Sequence, residues 1–342
     1  MFKPSILSRM LAVSIACAML PACADNSGSN SKTEQKQNSQ AEKSDKADSR
    51  YHLQNIYEPS GAIQLSDGRV LVVEDEAKRA FNLLSFEQDG NVKEDEAADA
   101  ELMGSFKHPH SDLEALTQDP QGWIYTVSSH SETKQNERLT DREHFLRFKI
   151  NGNKAEQISY APNLKDALGN AQSLLQSIKK QTGRTLDFHT MNVEGMHYDQ
   201  ATKRLLLGFR DPLSMIVPIE NPDDVFGKGA VPRFGEPVVL KLQGGGIRSL
   251  TYDPVLKAYL LANEVTGENG KGQSQLWTWD GKAQSAPVAL NLPENVKLKN
   301  IEAVESVTVN GKPRLLLMGD EGSVKKQRPA RYLLIDYADL NK

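Results

Sequence analysis

Three glutamates and one arginine recur along this chain at a fixed interval. Glu194, Arg248 and Glu302 follow one another at 54 residues, and Ser60 and Glu114 are also 54 apart; only Glu114 to Glu194 is longer, at 80. Each is the third residue of a similar segment: Glu58 to Ile63, Asp112 to Leu116, Asn192 to Met196, Gly246 to Leu250 and Asn300 to Val304. A small residue and an apolar one follow it, then a turn and an apolar run. The polar residues of each repeat fall at two places. The first set is Glu58, Asp112, Glu114, Glu194, Arg248 and Glu302. The second is Glu74-Asp75-Glu76, Ser129-His130, Arg210-Asp211, Asn263-Glu264 and Asp320-Glu321. Carboxylates gathered this closely repel and raise one another's pKa unless something neutralises them. A hard cation such as Ca²⁺ would do so, since it takes six to eight oxygen ligands. On that reading Glu58, Asp112, Glu114, Glu194 and Glu302 are the metal ligands. Two other readings stay open: a charge-balanced network that fixes the register of the repeats, and a metal-free site in which Arg210, Arg248 and His130 hold an anionic substrate. His108, His110, His130 and His189 lie near the same segments, which brings a transition-metal site into view; a His-Pro-His stretch also reads as an exposed turn.

The elements that must position these residues follow from the period. A repeat of about 54 residues is the sign of a propeller or a solenoid, and β-rich units with turn signals between short strands favour the propeller. Apolar runs such as Leu205-Leu206-Leu207 and Leu315-Leu316-Leu317 suit strands covered on both faces. In a blade the first strand starts, and the second ends, at the same face of the ring, so the two polar sets meet at one channel mouth. The fold expected is all-β: a propeller of five blades, with six as the alternative if 151–190 holds a degenerate blade. The long interval contains an apolar i, i+3, i+4, i+7 pattern from Leu164 to Ile178, which predicts one inserted amphipathic helix over 163–183. Asn163 is its N-cap and Gly183 its end. The last repeat is short of one strand, and Tyr51 to Tyr57 is expected to close the ring.

The chain has 342 residues, and the first fifty read differently from the rest. Lys3 and Arg9 precede an apolar run from Met10 to Leu20, too short for a membrane span, so 1–24 reads as a signal peptide. Leu20-Pro21-Ala22-Cys23 resembles a bacterial lipobox, which makes Cys23 the lipidated residue of an outer-membrane lipoprotein facing the periplasm. Ala22-Cys23-Ala24 also fits an ordinary cleavage site, which would leave a soluble periplasmic protein. Residues 25–50 are polar and alternate in charge, a disordered tether, and 51–342 form the propeller domain. The only cysteines are Cys17 and Cys23, so that domain has no disulfide. A net charge of −4 gives no basic footprint, which argues against nucleic acid as a partner. A monomer is expected, held to the membrane by its lipid alone.

No G-x-S-x-G, G-x-x-x-x-G-K or H-E-x-x-H motif occurs. The stretches Asn192-Val193-Glu194-Gly195-Met196, Gly208-Phe209-Arg210-Asp211-Pro212-Leu213, Gly246-Ile247-Arg248-Ser249-Leu250 and Trp279-Asp280-Gly281 resemble a bacterial family of unknown function, "domain of unknown function 3616". The resemblance spans most of 55–340 and implies a β-propeller distantly similar to phytase-like and esterase-like groups, with no activity attached. Alkaline phytase propellers use Ca²⁺ and acidic channel residues; their ligand motifs do not match here residue by residue, so that link is an analogy. The function expected is an envelope-anchored propeller binding a cation, and an anionic small molecule, at an acidic mouth, with metal-dependent ester or phosphoester hydrolysis as the chemistry. The alternative is a non-catalytic module that binds a ligand or an envelope protein, through loops such as 131–143 or 264–275.

Overall fold

The computed structural model describes residues 51–340, apart from 268–269, 294–295 and 297–298. The expected signal peptide, Cys23 and the tether lie outside the described residues. Five antiparallel sheets follow one another along the chain, each in simple meander order. The first holds β1 (Pro59–Gln64), β2 (Val70–Glu74), β3 (Phe81–Phe86) and β4 (Val92–Glu94). The second holds β5 (Leu113–Gln118), β6 (Ile124–Ser128), β7 (Phe145–Asn151) and β8 (Lys154–Tyr160). The third holds β9 (Asn192–Asp199), β10 (Arg204–Asp211), β11 (Met215–Ile219) and β12 (Val238–Val239). The fourth holds β13 (Ser249–Asp253), β14 (Ala258–Thr266), β15 (Gly272–Trp279) and β16 (Val288–Leu290). The fifth holds β17 (Ile301–Val309), β18 (Lys312–Gly319) and β19 (Arg331–Ile335).

The first strands make the ring. β1 packs against β5, β5 against β9, β9 against β13, β13 against β17, and β17 back against β1. The chain is therefore a five-bladed β-propeller. No sixth blade hides in 151–190, because Lys154–Tyr160 is the outer strand of the second blade and helices follow it. Five apolar cores fill the five gaps between blades. Leu71, Leu83, Leu113 and Phe148 fill one, and Leu260, Leu276, Leu315 and Leu317 another. This accounts for the continuous apolar runs: alternate residues of one strand serve two different interfaces.

The turns between first and second strands follow the residues that demanded them. Asp119 Oδ1 accepts from the Gln121 and Trp123 amides at 2.9 Å, and Asp253 Oδ1 from those of Val255 and Leu256 at 2.8 Å. Asn310 and Gly311 both have positive φ, 50° and 75°, as a tight hairpin turn requires. The fifth blade has only three strands. Its outer edge is met by the N-terminal stretch through a single antiparallel bridge, His52 to Arg331, with Leu53 N donating to Ala330 O at 2.9 Å and Ala330 N to Ile56 O at 2.8 Å. Leu53 and Ile56 are buried with Val70, Met318 and Tyr332, so packing supplies what a full ladder would.

The insertion is two helices, α2 (Leu164–Asn170) and α3 (Gln172–Thr182), following α1 (Glu96–Met103), and α4 (Pro222–Lys228) comes later. This corrects the single helix that the apolar spacing predicts over 163–183. Both expected ends of the insertion are present: Asn163 Oδ1 accepts from Asp166 N at 2.9 Å, and Gly183 takes a φ of 71°. The break at Ala171 follows Gly169 and Asn170, two weak helix formers, and Asn170 turns its side chain onto Asp166 O at 2.9 Å. α1 carries little apolar periodicity, and α4 has seven residues, too few for a periodic signal.

Candidate functional site

The repeated position has a structural cause. In β1, β5, β9 and β17 the pairing register slips at one residue, so that Ser60, Glu114, Glu194 and Glu302 each stand as the extra residue of a β-bulge. In the fourth blade Arg248 holds the equivalent place, its N–H bonded to Ala262 O, the residue that Ser249 also faces. A bulge redirects one side chain out of the strand's alternation. Here it does so at the same end of every inner strand, which gathers these side chains around the axis. The following residue is small because the inner strands almost touch there. A Cβ on Gly195 would lie 2.9 Å from Leu250 Cβ, and one on Gly61 would lie 3.1 Å from Leu116 N. A cavity of about 10 Å³, room for one water-sized particle, lies among Glu114, Glu194, Ser60 and the residues that follow them.

Glu194 is the centre of the network. Its Oε1 accepts from Arg210 Nη1 at 2.6 Å and from Asn192 Nδ2 at 2.7 Å. Its Oε2 is buried without a hydrogen bond, 3.9 Å from Arg248 Nη1, and the neighbouring Asn192 Oδ1 is buried without a donor as well. Arg248, 8% exposed, is ion-paired to Glu302 and lies 3.6 Å from Glu264. Burial raises the Glu194 carboxyl in spite of the two guanidiniums. Glu114 has no hydrogen-bond partner among the described residues. Its carboxyl is pushed well above the ordinary range by burial, then by the charges of Glu194, Asp112, Asp75 and Asp320. Asp75 is raised to about 8 by burial and then by the neighbouring charge of Asp112. Glu58 is raised by burial, then by Asp320 and Glu76. At least seven carboxylates thus meet at this mouth, among them Glu58, Asp75, Asp112, Glu114, Glu194, Glu302 and Asp320. Three guanidiniums answer them, those of Arg210, Arg248 and Arg142, the last 3.6 Å from Asp112.

Of the residues expected at the site, the five carboxylates Glu58, Asp112, Glu114, Glu194 and Glu302 come together, as do Arg210 and Arg248. Asp112 is largely satisfied by protein: it has a φ of 60°, and its Oδ2 accepts from the Ser129 hydroxyl and, at 3.1 Å, from that of Ser131. His130 does not join them. Its ring is fully buried, with Nδ1 on Ser128 O at 2.9 Å, and it is held neutral, at about 4, by burial. The charges beside it are Glu143, Lys165 and His144 rather than the axial carboxylates. The four histidines are not gathered either. His108 and His110 pack on Tyr160, and His189 reaches Glu132 at 3.3 Å. Among the described residues, no group of three or more His, Cys, Asp or Glu has the geometry of a ready-made metal site.

Asp75 and Asp320, expected at this mouth as members of the second polar set but not among the metal ligands, do lie beside them. One feature here was not read from the sequence. Gly244 to Gly246 arch over Arg210, with a Cβ on Gly246 falling 2.0 Å from Arg210 O, and Asn263 Nδ2 holds that arch through Gln243 O and Gly245 O, each at 3.0 Å. Beneath it a cleft of about 360 Å³ is lined by Arg210, Arg248, Glu264 and the glycines. Arg210 reaches it with 39% of its side chain exposed, whereas Arg248 is spent on carboxylates.

No family model matches the chain, and neither does any curated protein. Solved structures do match. A Bacteroides thetaiotaomicron protein of unknown function is 9% identical over 77% of this chain, which spans 52% of that protein, with a TM-score of 0.41. The PQQ-bound aldose sugar dehydrogenase of Streptomyces coelicolor is 15% identical, covering 84% of this chain and 96% of its own, with a TM-score of 0.39. The catalytic domain of a Coprinopsis cinerea GH62 α-L-arabinofuranosidase is 14% identical, covering 84% and 91%, with a TM-score of 0.43. Likeness at this level carries nothing about activity, and the site stands on its own residues.

Proposed function

We propose that this propeller binds a hard divalent cation, Ca²⁺ by preference, at its acidic mouth, and an anionic small molecule beside it in the Arg210 cleft. The observation that supports this reading best is the pair of buried oxygens without donors, Glu194 Oε2 and Asn192 Oδ1. Both are hard oxygen ligands, and they stand where carboxylates outnumber the guanidiniums of Arg142, Arg210 and Arg248. A cation would offset the excess charge and take both lone pairs. The exposed Arg210 would then orient an anion toward it. The chemistry such a pairing supports is hydrolysis of an ester or phosphoester, the cation activating water and polarising the ester oxygen.

The test is the melting temperature of the full-length protein with Ca²⁺ and with chelator, alongside phosphatase and esterase assays under both conditions. Native-state binding must raise the melting temperature as ligand is added, and Glu194→Gln must remove the increment while the fold persists. A melt indifferent to Ca²⁺ sinks the cation. Turnover that persists in chelator sinks the metal-dependent chemistry. We further propose that Cys23 anchors the protein in the outer membrane. Cys23→Ser must then abolish lipid labelling, and an equally labelled variant would refute it.

A further inference from the structure

The inner strands all run from the acidic mouth to the opposite one, where their far ends line a cleft of about 620 Å³, larger than the Arg210 cleft. Its character is different. Tyr252, 40% exposed, pairs across strands with Tyr259, and the two rings meet at 74° with centroids 5.4 Å apart. His197 closes the group, at 85° to Tyr259 and 36° to Tyr252. The floor is Glu305. Its carboxylate accepts from the Thr251 hydroxyl at 3.1 Å, and among the described residues no ion pair neutralises it. Asp199, Gln118 and Gln200 are among the other polar residues of the lining, and no described lysine or arginine lines the cleft.

We propose that this second mouth binds a small organic cation, an aliphatic amine whose ammonium pairs with Glu305 and whose carbon stem lies on Tyr252. Three features converge on it. The wall offers aromatic faces, whose quadrupoles attract cations. The floor offers a carboxyl group with one hydroxyl donor and no counter-charge. His197 adds no positive charge, since burial holds it near 4. Burial also raises Glu305 to about 8, and a bound ammonium would return it to the charged form. An anion would meet two carboxyl groups and no described lysine or arginine here, and a neutral polyol would supply no charge to pair with Glu305.

The experiment is isothermal titration of the full-length protein with putrescine, tetramethylammonium, glucose and inorganic phosphate. Putrescine is expected to bind. Glu305→Gln should abolish binding, and Tyr252→Ala should weaken it by roughly tenfold. Tyr252 is exposed, so its variant keeps the test alive if Glu305→Gln fails to fold. Putrescine binding that survives both substitutions overturns the proposal. So does binding of glucose without putrescine, which would make the cleft a saccharide platform, and so does binding of phosphate alone. The Ca²⁺ response of the other mouth is read separately: Tyr252→Ala should leave it intact, so either site can fail without the other.

Discussion

Replacing Arg248 with methionine separates a charge network from a packing role. The methionine stem replaces the buried part of the arginine, so the main loss is the guanidinium. Glu194 keeps Arg210 at 2.6 Å, but Glu302 loses its ion-pair partner while remaining 5% exposed. A buried carboxylate stripped of its cation ordinarily costs about 3–5 kcal/mol. A proton caps that cost. Holding an ordinary glutamic acid protonated costs about 1.4 kcal/mol per pH unit above its usual value near 4.5. The ceiling is therefore about 5 kcal/mol at pH 8 but only about 1 kcal/mol at pH 5. Urea unfolding of the wild type and Arg248→Met at the two pH values measures the difference directly. The destabilisation should be about 3–5 kcal/mol at pH 8 and shrink to about 1 kcal/mol at pH 5. An equal loss at both would mean that Arg248 acts through packing and that the carboxylate network is not what it neutralises. Arg210→Met is the comparison. Arg210 is more exposed and its loss leaves Glu194 still facing Arg248 at 3.9 Å, so its variant should lose less than Arg248→Met at pH 8.

Other consequences follow from the same geometry. Asp75 is raised to about 8 in the fold, so between about pH 4 and 8 the folded protein holds a proton that the unfolded chain has released. Stability should fall as pH rises through that window, and Asp75→Asn should flatten the fall; a parallel pH profile for the variant would contradict the raised Asp75 carboxyl. Gly195→Ala should destabilise by about 1–3 kcal/mol, because its Cβ meets Leu250 at 2.9 Å, whereas Gly68→Ala meets nothing and should cost only about 1 kcal/mol for its φ of 90°. Chemical denaturation ranks the two, and the reverse order would refute the close approach of β9 and β13. Removing residues 25–50 should leave the melting temperature nearly unchanged, while removing 25–56 should lower it by several degrees through loss of Leu53 and Ile56 from the first-to-fifth blade core. Equal melting temperatures would mean that the bridge at Arg331 contributes nothing.

What the sequence determined by itself was the repeat. A blade is a local meander, so its strands, turns and small residues recur at a fixed interval and can be read without contacts. The five-blade ring, the meeting of Glu114, Glu194, Arg248 and Glu302, and the caps at Asn163 and Gly183 all follow from that local logic. The tertiary structure decided what depends on direction and depth. A bulge, not strand alternation, turns the repeated carboxylates onto the axis, and pairing register is invisible in a single chain. His130 occupies a polar repeat position, yet its left-handed backbone, with a φ of 57°, accompanies a ring buried away from the other members. The second mouth went unread because His197, Tyr252 and Glu305 come from three different blades. Nothing in their spacing separates them from ordinary strand residues until the ring closes and brings three strand ends to one cleft.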